Sequence, residues 1–160
     1  MPKGNKPKYC WDTTTALAWL GEEESAPLAD IALVVQEIDA NEAILIMPAT
    51  VYSEILEAEF TPEQLATFEA FLKRSNVHSV DLTPEIARRA AAIRQRGREE
   101  KPKRKLKTPD AQILATAIAY GADALHSLDR DLLQLNGHGT AERMTILKPI
   151  PMSRQRGLAY

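Results

Sequence analysis

The sequence predicts an α/β fold, a three-layer α/β/α sandwich around a mostly parallel sheet of about five strands. Two observations carry this expectation. Short apolar runs alternate along the chain with segments of helical periodicity. The compact run AILIM, Ala43–Met47, closed by Pro48, is of the kind found in strands buried within a parallel sheet. Strands separated by helices need crossover connections, and crossovers place helices on both faces of the sheet.

Lys8–Trp11 is the first strand and Thr13–Leu20 the first helix. A second helix is predicted over Ala26–Ala40, where Leu28, Ile31, Val34, Val35 and Ile38 repeat at helical spacing. After the AILIM strand, Thr50–Glu59 is helical. TPEQ at Thr61–Gln64 then supplies a cap, a first-turn proline and a capping-box glutamine. Leu65, Phe68, Phe71 and Leu72 form one face of that helix. Val77–Leu82 is a strand. TPE at Thr83–Glu85 opens a helix to about Arg96, and a basic loop follows from Gly97 to Lys107. TPD at Thr108–Asp110 reads as another capped helix start, with Gly121 placed to end that helix. Ala124–Leu128 is a strand, Asp131–Leu135 a short helix and Thr145–Lys148 the last strand.

A chain of 160 residues, 44% hydrophobic, fits one domain with a real core. The domain is expected to span residues 1–160, with its core at about 8–150 and loose tails at Met1–Lys6 and Met152–Tyr160. A single cysteine, Cys10, excludes a disulfide framework and a cysteine-based zinc site. The basic start MPKGNKPK is followed by no long apolar run, so neither a signal peptide nor a membrane span is expected, and the cytoplasm is the expected compartment. The formal charge of −2 hides an asymmetry. Arg94 to Lys107 holds eight Lys or Arg against two Glu, a local +6 that leaves −8 for the rest. Such a run is either a solvated loop or a surface for phosphate-bearing partners.

In an open parallel sheet, ligands gather at the carboxyl ends of the strands. Asp12 ends the first strand and Asp129 follows the strand ALHSL. Glu54 lies one turn into the helix after AILIM, and Asp110 lies in the first turn of the TPD helix. Each acid alone has an ordinary explanation, as an N-cap for Asp12 and Asp129 or a helix-dipole partner for Glu54 and Asp110. Together, carboxylates converging on one edge repel each other and need protons or a cation. A hard divalent ion with oxygen ligands answers that need, and Mg²⁺ is usual in phosphate chemistry.

Four blocks, YCWDTTTALAWL, MPATVYSEILE, KTPDAQILATAIAYGA and ALHSLDRDLLQL, carry a resemblance to the PIN-domain ribonucleases, the fold of VapC-type toxins of bacterial toxin–antitoxin pairs. It covers about Lys8 to Ile150. The third and fourth blocks are the most specific. There an acid opens a D-A-x-I-x-A-T-A-like helix, Gly-Ala and a strand follow, and Ser127-Leu128-Asp129-Arg130-Asp131 closes the pattern. The resemblance implies Mg²⁺ or Mn²⁺ held by Asp12, Glu54, Asp110 and Asp129, with Asp131 as a further candidate ligand. It implies RNA hydrolysis by an activated water, with products bearing a 5′-phosphate and a 3′-hydroxyl. Thr13 and Ser127 would steady the carboxylates. A homodimer and an inhibitory antitoxin are the implied partners. The basic stretch is longer than expected for a minimal toxin. Its Arg94, Arg96, Arg98, Lys101, Lys103, Arg104, Lys105 and Lys107 are the candidates for holding RNA.

Other readings lose support on specific residues. A haloacid-dehalogenase-like phosphatase needs a second acid two residues after the first, where this chain has Thr14. A response-regulator receiver lacks its acidic pair, and Asp81 falls within the predicted third strand. Neither a G-x-x-x-x-G-K-S/T loop nor a G-x-G-x-x-G turn occurs. His78, His126 and His138 share no ligand spacing, Cys10 and Trp11 read as core, and Tyr52 reads as an interior or rim residue. A non-catalytic scaffold that binds RNA or protein, and a housekeeping RNA-processing nuclease, remain the alternatives.

Overall fold

The computed structural model describes residues 4–155. Five parallel strands form one sheet: β1 (Lys8–Trp11), β2 (Ile44–Pro48), β3 (Val77–Val80), β4 (Ala124–His126) and β5 (Ile146–Leu147). Their order is β3-β2-β1-β4-β5, so β1 is central. Cys10 pairs with Ile46 on one side and Leu125 on the other. Tyr9, Cys10 and Trp11 are all fully buried. Both faces of β1 are therefore covered, as parallel sheets require.

Helices fill every crossover: α1 (Thr13–Gly21), α2 (Leu28–Asp39), α3 (Ala49–Glu57), α4 (Pro62–Leu72), α5 (Pro84–Glu99), α6 (Thr108–Ala119) and α7 (Arg130–Leu133). Trp11 of β1 packs with Trp19 of α1 and Phe71 of α4. Helix α6 lies against β1, β2 and β4 and along α5. It buries Ala111, Ile113, Leu114, Ala115, Thr116 and Ala117 in succession, which marks a helix enclosed on most sides. Gly121, at φ +64, ends it by letting Ala122 N–H reach back to the Ala117 carbonyl.

The predicted order of strands and helices matches the structure. The Thr61–Gln64 capping box is complete, and Thr83 caps α5. Several boundaries differ, among them β3 and β4, which end at Val80 and His126, each two residues short of the predicted end, so Asp81 lies just past β3. Strand β2 runs through Pro48, which occupies its last rung opposite Val80, where a missing N–H costs little. Helix α5 continues to Glu99, so Gly97 and Arg98 are helical rather than part of the loop. Thr108 is not a cap, because α6 starts one residue earlier than the TPD motif implies. Lys107 is its N-cap, with no side-chain hydrogen bond. The expected C-terminal tail begins with a helical turn, α8 (Met152–Gln155), and Met152 N–H donates to the Tyr9 hydroxyl at 3.0 Å. Met1–Lys3 and the last five residues of the predicted tails lie outside the described residues.

Candidate active site

The chain builds the sheet from β1 outward through β2 to β3, then crosses back and adds β4 on the other side of β1. That reversal falls at the carboxyl ends of β1 and β4, where ligands gather in open α/β sheets. Asp12 and Asp129 stand there. The last rung between the two strands is Asp12 N–H to the His126 carbonyl, at 3.1 Å.

Asp12 is 1% exposed, and hydrogen bonds satisfy it from three directions. The Thr15 N–H donates to Oδ1 at 2.9 Å, as an N-cap does. The Thr14 hydroxyl is shared between Oδ1 at 2.7 Å and Oδ2 at 2.8 Å, and the Ser127 hydroxyl reaches Oδ2 at 2.5 Å. Thr14 Oγ1 in turn accepts Leu128 N–H, and Ser127 Oγ accepts Asp129 N–H, each at 2.9 Å. One hydroxyl on α1 and one after β4 therefore tie the two strand ends together through Asp12. Burial pushes the Asp12 carboxyl above its ordinary range, and the bonds from Ser127, Thr15 and Thr14 oppose that rise.

Asp129 caps α7 by accepting Asp131 N–H at 3.0 Å. The cap and the strand-end position thus belong to the same residue, as they do for Asp12. Glu54 extends from α3 and accepts the Thr13 hydroxyl at 2.6 Å. Asp110 opens α6, and Thr50 of α3 donates to Gln112, two residues further on, at 3.1 Å. Asp110 is where the four acids register one another. Burial is the first cause that raises its carboxyl, to about 7. The charges of Asp129 and Asp12, a hydrogen bond with Asp129, and the charge of Glu54 follow.

The donor set is all hard oxygen, which fits Mg²⁺ or Mn²⁺ rather than zinc. Among the described residues, no three His, Cys, Asp or Glu side chains are gathered closely enough to hold an ion as they stand. Asp131 stands apart, exposed in the first turn of α7.

The histidines lie elsewhere. His126 is fully buried, its ring tilted against Tyr9 with centroids 4.6 Å apart, and burial drives it down to about 3, so it stays neutral. His78 is exposed on β3, and His138 lies 3.3 Å from Glu100. The basic stretch divides in two. Arg94 Nε donates to the Leu106 carbonyl at 2.9 Å, Arg96 to the Thr140 carbonyl at 3.3 Å, and Arg104 pairs with Glu100 at 2.7 Å. Arg98, Lys101, Lys103, Lys105 and Lys107 are exposed. The residues that sequence reasoning missed are Thr14 and Thr15, whose hydroxyl holds the His126 carbonyl at 2.9 Å. The run of three threonines after Asp12 was their only signal.

A parallel α/β sheet with Asp12 and Asp129 at the strand ends beside its point of reversal, and Asp110 within electrostatic reach of Asp12, Glu54 and Asp129, defines a class of α/β proteins that place acids at that edge. Within that class, the PIN domain family model matches residues 9–137, and the chain belongs to that family. Among characterised proteins, none matches the chain in sequence. Solved structures do match in fold. DNA-bound VapBC2 of Rickettsia felis superposes with a TM-score of 0.64 at 14% identity, over 87% of this chain and 96% of that one. DNA-bound VapBC of Salmonella typhimurium gives 0.60 at 18%, over 88% and 96%. VapC20 of Mycobacterium tuberculosis, described as a Sarcin-Ricin loop cleaving toxin, gives 0.57 at 14%, over 76% and 89%.

Proposed function

We propose that this protein is a divalent-metal-dependent ribonuclease and the toxin of a toxin–antitoxin pair. The observation that carries the reading is geometric: Asp12 and Asp129 stand at neighbouring strand ends and are joined through the Ser127 hydroxyl, with Asp110 near enough to feel the charge of both. Acids held in mutual repulsion at one sheet edge are suited to a cation and, through it, to a phosphodiester. Membership of the PIN family and the fold shared with VapC toxins support the same reading.

Asp12, Glu54, Asp110 and Asp129 would hold Mg²⁺ or Mn²⁺, directly or through water, with Asp131 within the adjoining helical turn. A bound ion of this kind supplies a more acidic water and offsets charge on the phosphate oxygens. The chain's own part is orientation. Thr14 and Ser127 fix both oxygens of Asp12, and Thr13 fixes one oxygen of Glu54. No side-chain nucleophile is needed. The structures of neighbours that contain VapB with VapC support an antitoxin partner, and a homodimer in the cytoplasm is part of the same reading. Among the described residues, no helix is long and apolar enough to cross a membrane.

Labelled RNA incubated with Mg²⁺ or Mn²⁺ tests the reading. Cleavage is expected for the wild type and lost in Asp12→Asn, in Asp110→Asn and with EDTA. Cleavage that persists in both variants would sink the mechanism. Growth arrest on induced expression, relieved by Asp12→Asn, tests the toxin role, and light scattering tests the dimer.

A further inference from the structure

The loop between α5 and α6 has a property that the acid site does not account for. It forms one wall of a hollow of about 600 Å³, lined by Arg98, Lys103, Lys105, Lys107 and Asp131 over buried Leu106. A second hollow of about 400 Å³ shares Lys103, Lys105, Leu106 and Asp131 and continues past Pro102 to Gln134. The two adjoin along these shared residues and together form a basic groove.

Its wall is fixed from behind. Arg104 N–H donates to the Gly97 carbonyl at 2.8 Å, and its side chain reaches Glu100 at 2.7 Å and the Gln134 carbonyl at 3.3 Å. Arg94 Nε holds the Leu106 carbonyl. The Arg104 carbonyl passes Gly97 so closely that a Cβ there would meet it at 2.7 Å. By contrast, Arg98, Lys103, Lys105 and Lys107 have no acid within ion-pair reach among the described residues.

The groove borders the acids through Lys107 and Asp131, which line it. Lys107 is the N-cap of α6, whose third residue is Asp110, and Asp131 donates its N–H to Asp129. Unpaired cations fixed along a concave wall repel one another and favour a polyanion. An acidic peptide following the groove would run into four carboxylates, whereas an RNA backbone arriving there is the substrate of the proposed reaction.

We propose that this groove is a preformed track for the RNA backbone leading to the site, in which Arg98, Lys103, Lys105 and Lys107 meet phosphates while Arg94 and Arg104 hold the wall. The inference rests on the ribonuclease reading and adds a division of labour among the basic residues.

Fluorescence anisotropy with labelled single-stranded RNA, in EDTA and across a range of KCl, tests it without cleavage. Single-stranded binding loses about 0.7 in the slope of log affinity against log salt per phosphate contact, so four contacts give a slope near about −3. Lys103→Gln, Lys105→Gln and Lys107→Gln together are expected to lower its magnitude by about 2. Arg88→Gln removes a single exposed charge on α5 outside the groove and is expected to leave the slope unchanged. The track is overturned by a triple variant with the wild-type slope, by an equal loss per charge in Arg88→Gln, or by polyglutamate displacing RNA more strongly than polyphosphate of equal charge. Wild-type protein that cleaves RNA with an unaltered slope in the triple variant refutes the track alone. Altered slopes without metal-dependent cleavage refute the ribonuclease reading alone.

Discussion

Asp110→Asn should make the metal-free protein more stable at neutral and alkaline pH, although it removes a residue of the candidate site. The Asp110 carboxyl stands at about 7 against an ordinary 3.8. A proton is thus held more tightly in the folded chain than in the unfolded one. Below the ordinary value both states are protonated and Asp110 carries its full share of stability. That share falls away as pH rises through about 7, where the folded chain must ionise a group among like charges. The distance from 3.8 to about 7 corresponds to at most about 4 kcal/mol. Asp110 is only half-buried, and solvent screening reduces the figure to about 1–2 kcal/mol. For a chain of this size that is about 2–8 °C in melting temperature. Calorimetry or circular dichroism in EDTA should show Asp110→Asn melting higher than wild type at pH 8, with the gap closing towards pH 4. Equal melting at pH 8, or a less stable variant, would refute the argument that repulsion and burial at Asp110 strain the metal-free fold.

Because protons and cations compete for Asp110, Mn²⁺ should bind more tightly at pH 8 than at pH 6, with proton release that titration calorimetry in two buffers measures. Ser127→Ala removes the hydroxyl shared by Asp12 and Asp129 and should cost about 1.5–3 kcal/mol in urea unfolding, together with a fall in RNA cleavage. Gly97→Ala drives a Cβ into the Arg104 carbonyl and should destabilise by about 1–3 kcal/mol despite alanine's helix preference, read from denaturant midpoints. Phe71→Ala, which empties the space between Trp11 and Trp19, should cost about 3–5 kcal/mol and shift tryptophan fluorescence.

Local chemistry was legible along the chain. Thr61 with Gln64, Thr83 with Pro84, and Gly121 each act on neighbours a few residues away, so their caps and stops follow from the sequence. The N-cap role of Asp12 and Asp129 was legible for the same reason. Strand-end and first-turn positions singled out the four acids, and the resemblance added the two hydroxyls Thr13 and Ser127. Where local signals compete, the sequence was less informative. At KTPD, Lys107 rather than Thr108 takes the cap position, because helix α6 and the loop before it are set by packing against α5.

What only the tertiary structure decided depends on contacts between residues far apart in the chain. Strand β4 is laid beside β1, and that choice brings Ser127 to Asp12 across 115 positions of sequence. Thr14 receives its bond from Leu128 by the same adjacency. The eight basic residues of the Arg94–Lys107 segment look alike in sequence. Folding distinguishes them, because a guanidinium that meets a buried carbonyl or Glu100 becomes part of the wall, and an ammonium that meets neither stays free in solvent. Sequence alone therefore determined which elements form and which acids to watch. Their convergence, and the partners that hold Asp12 in place, came from the strand order, which no local propensity encodes.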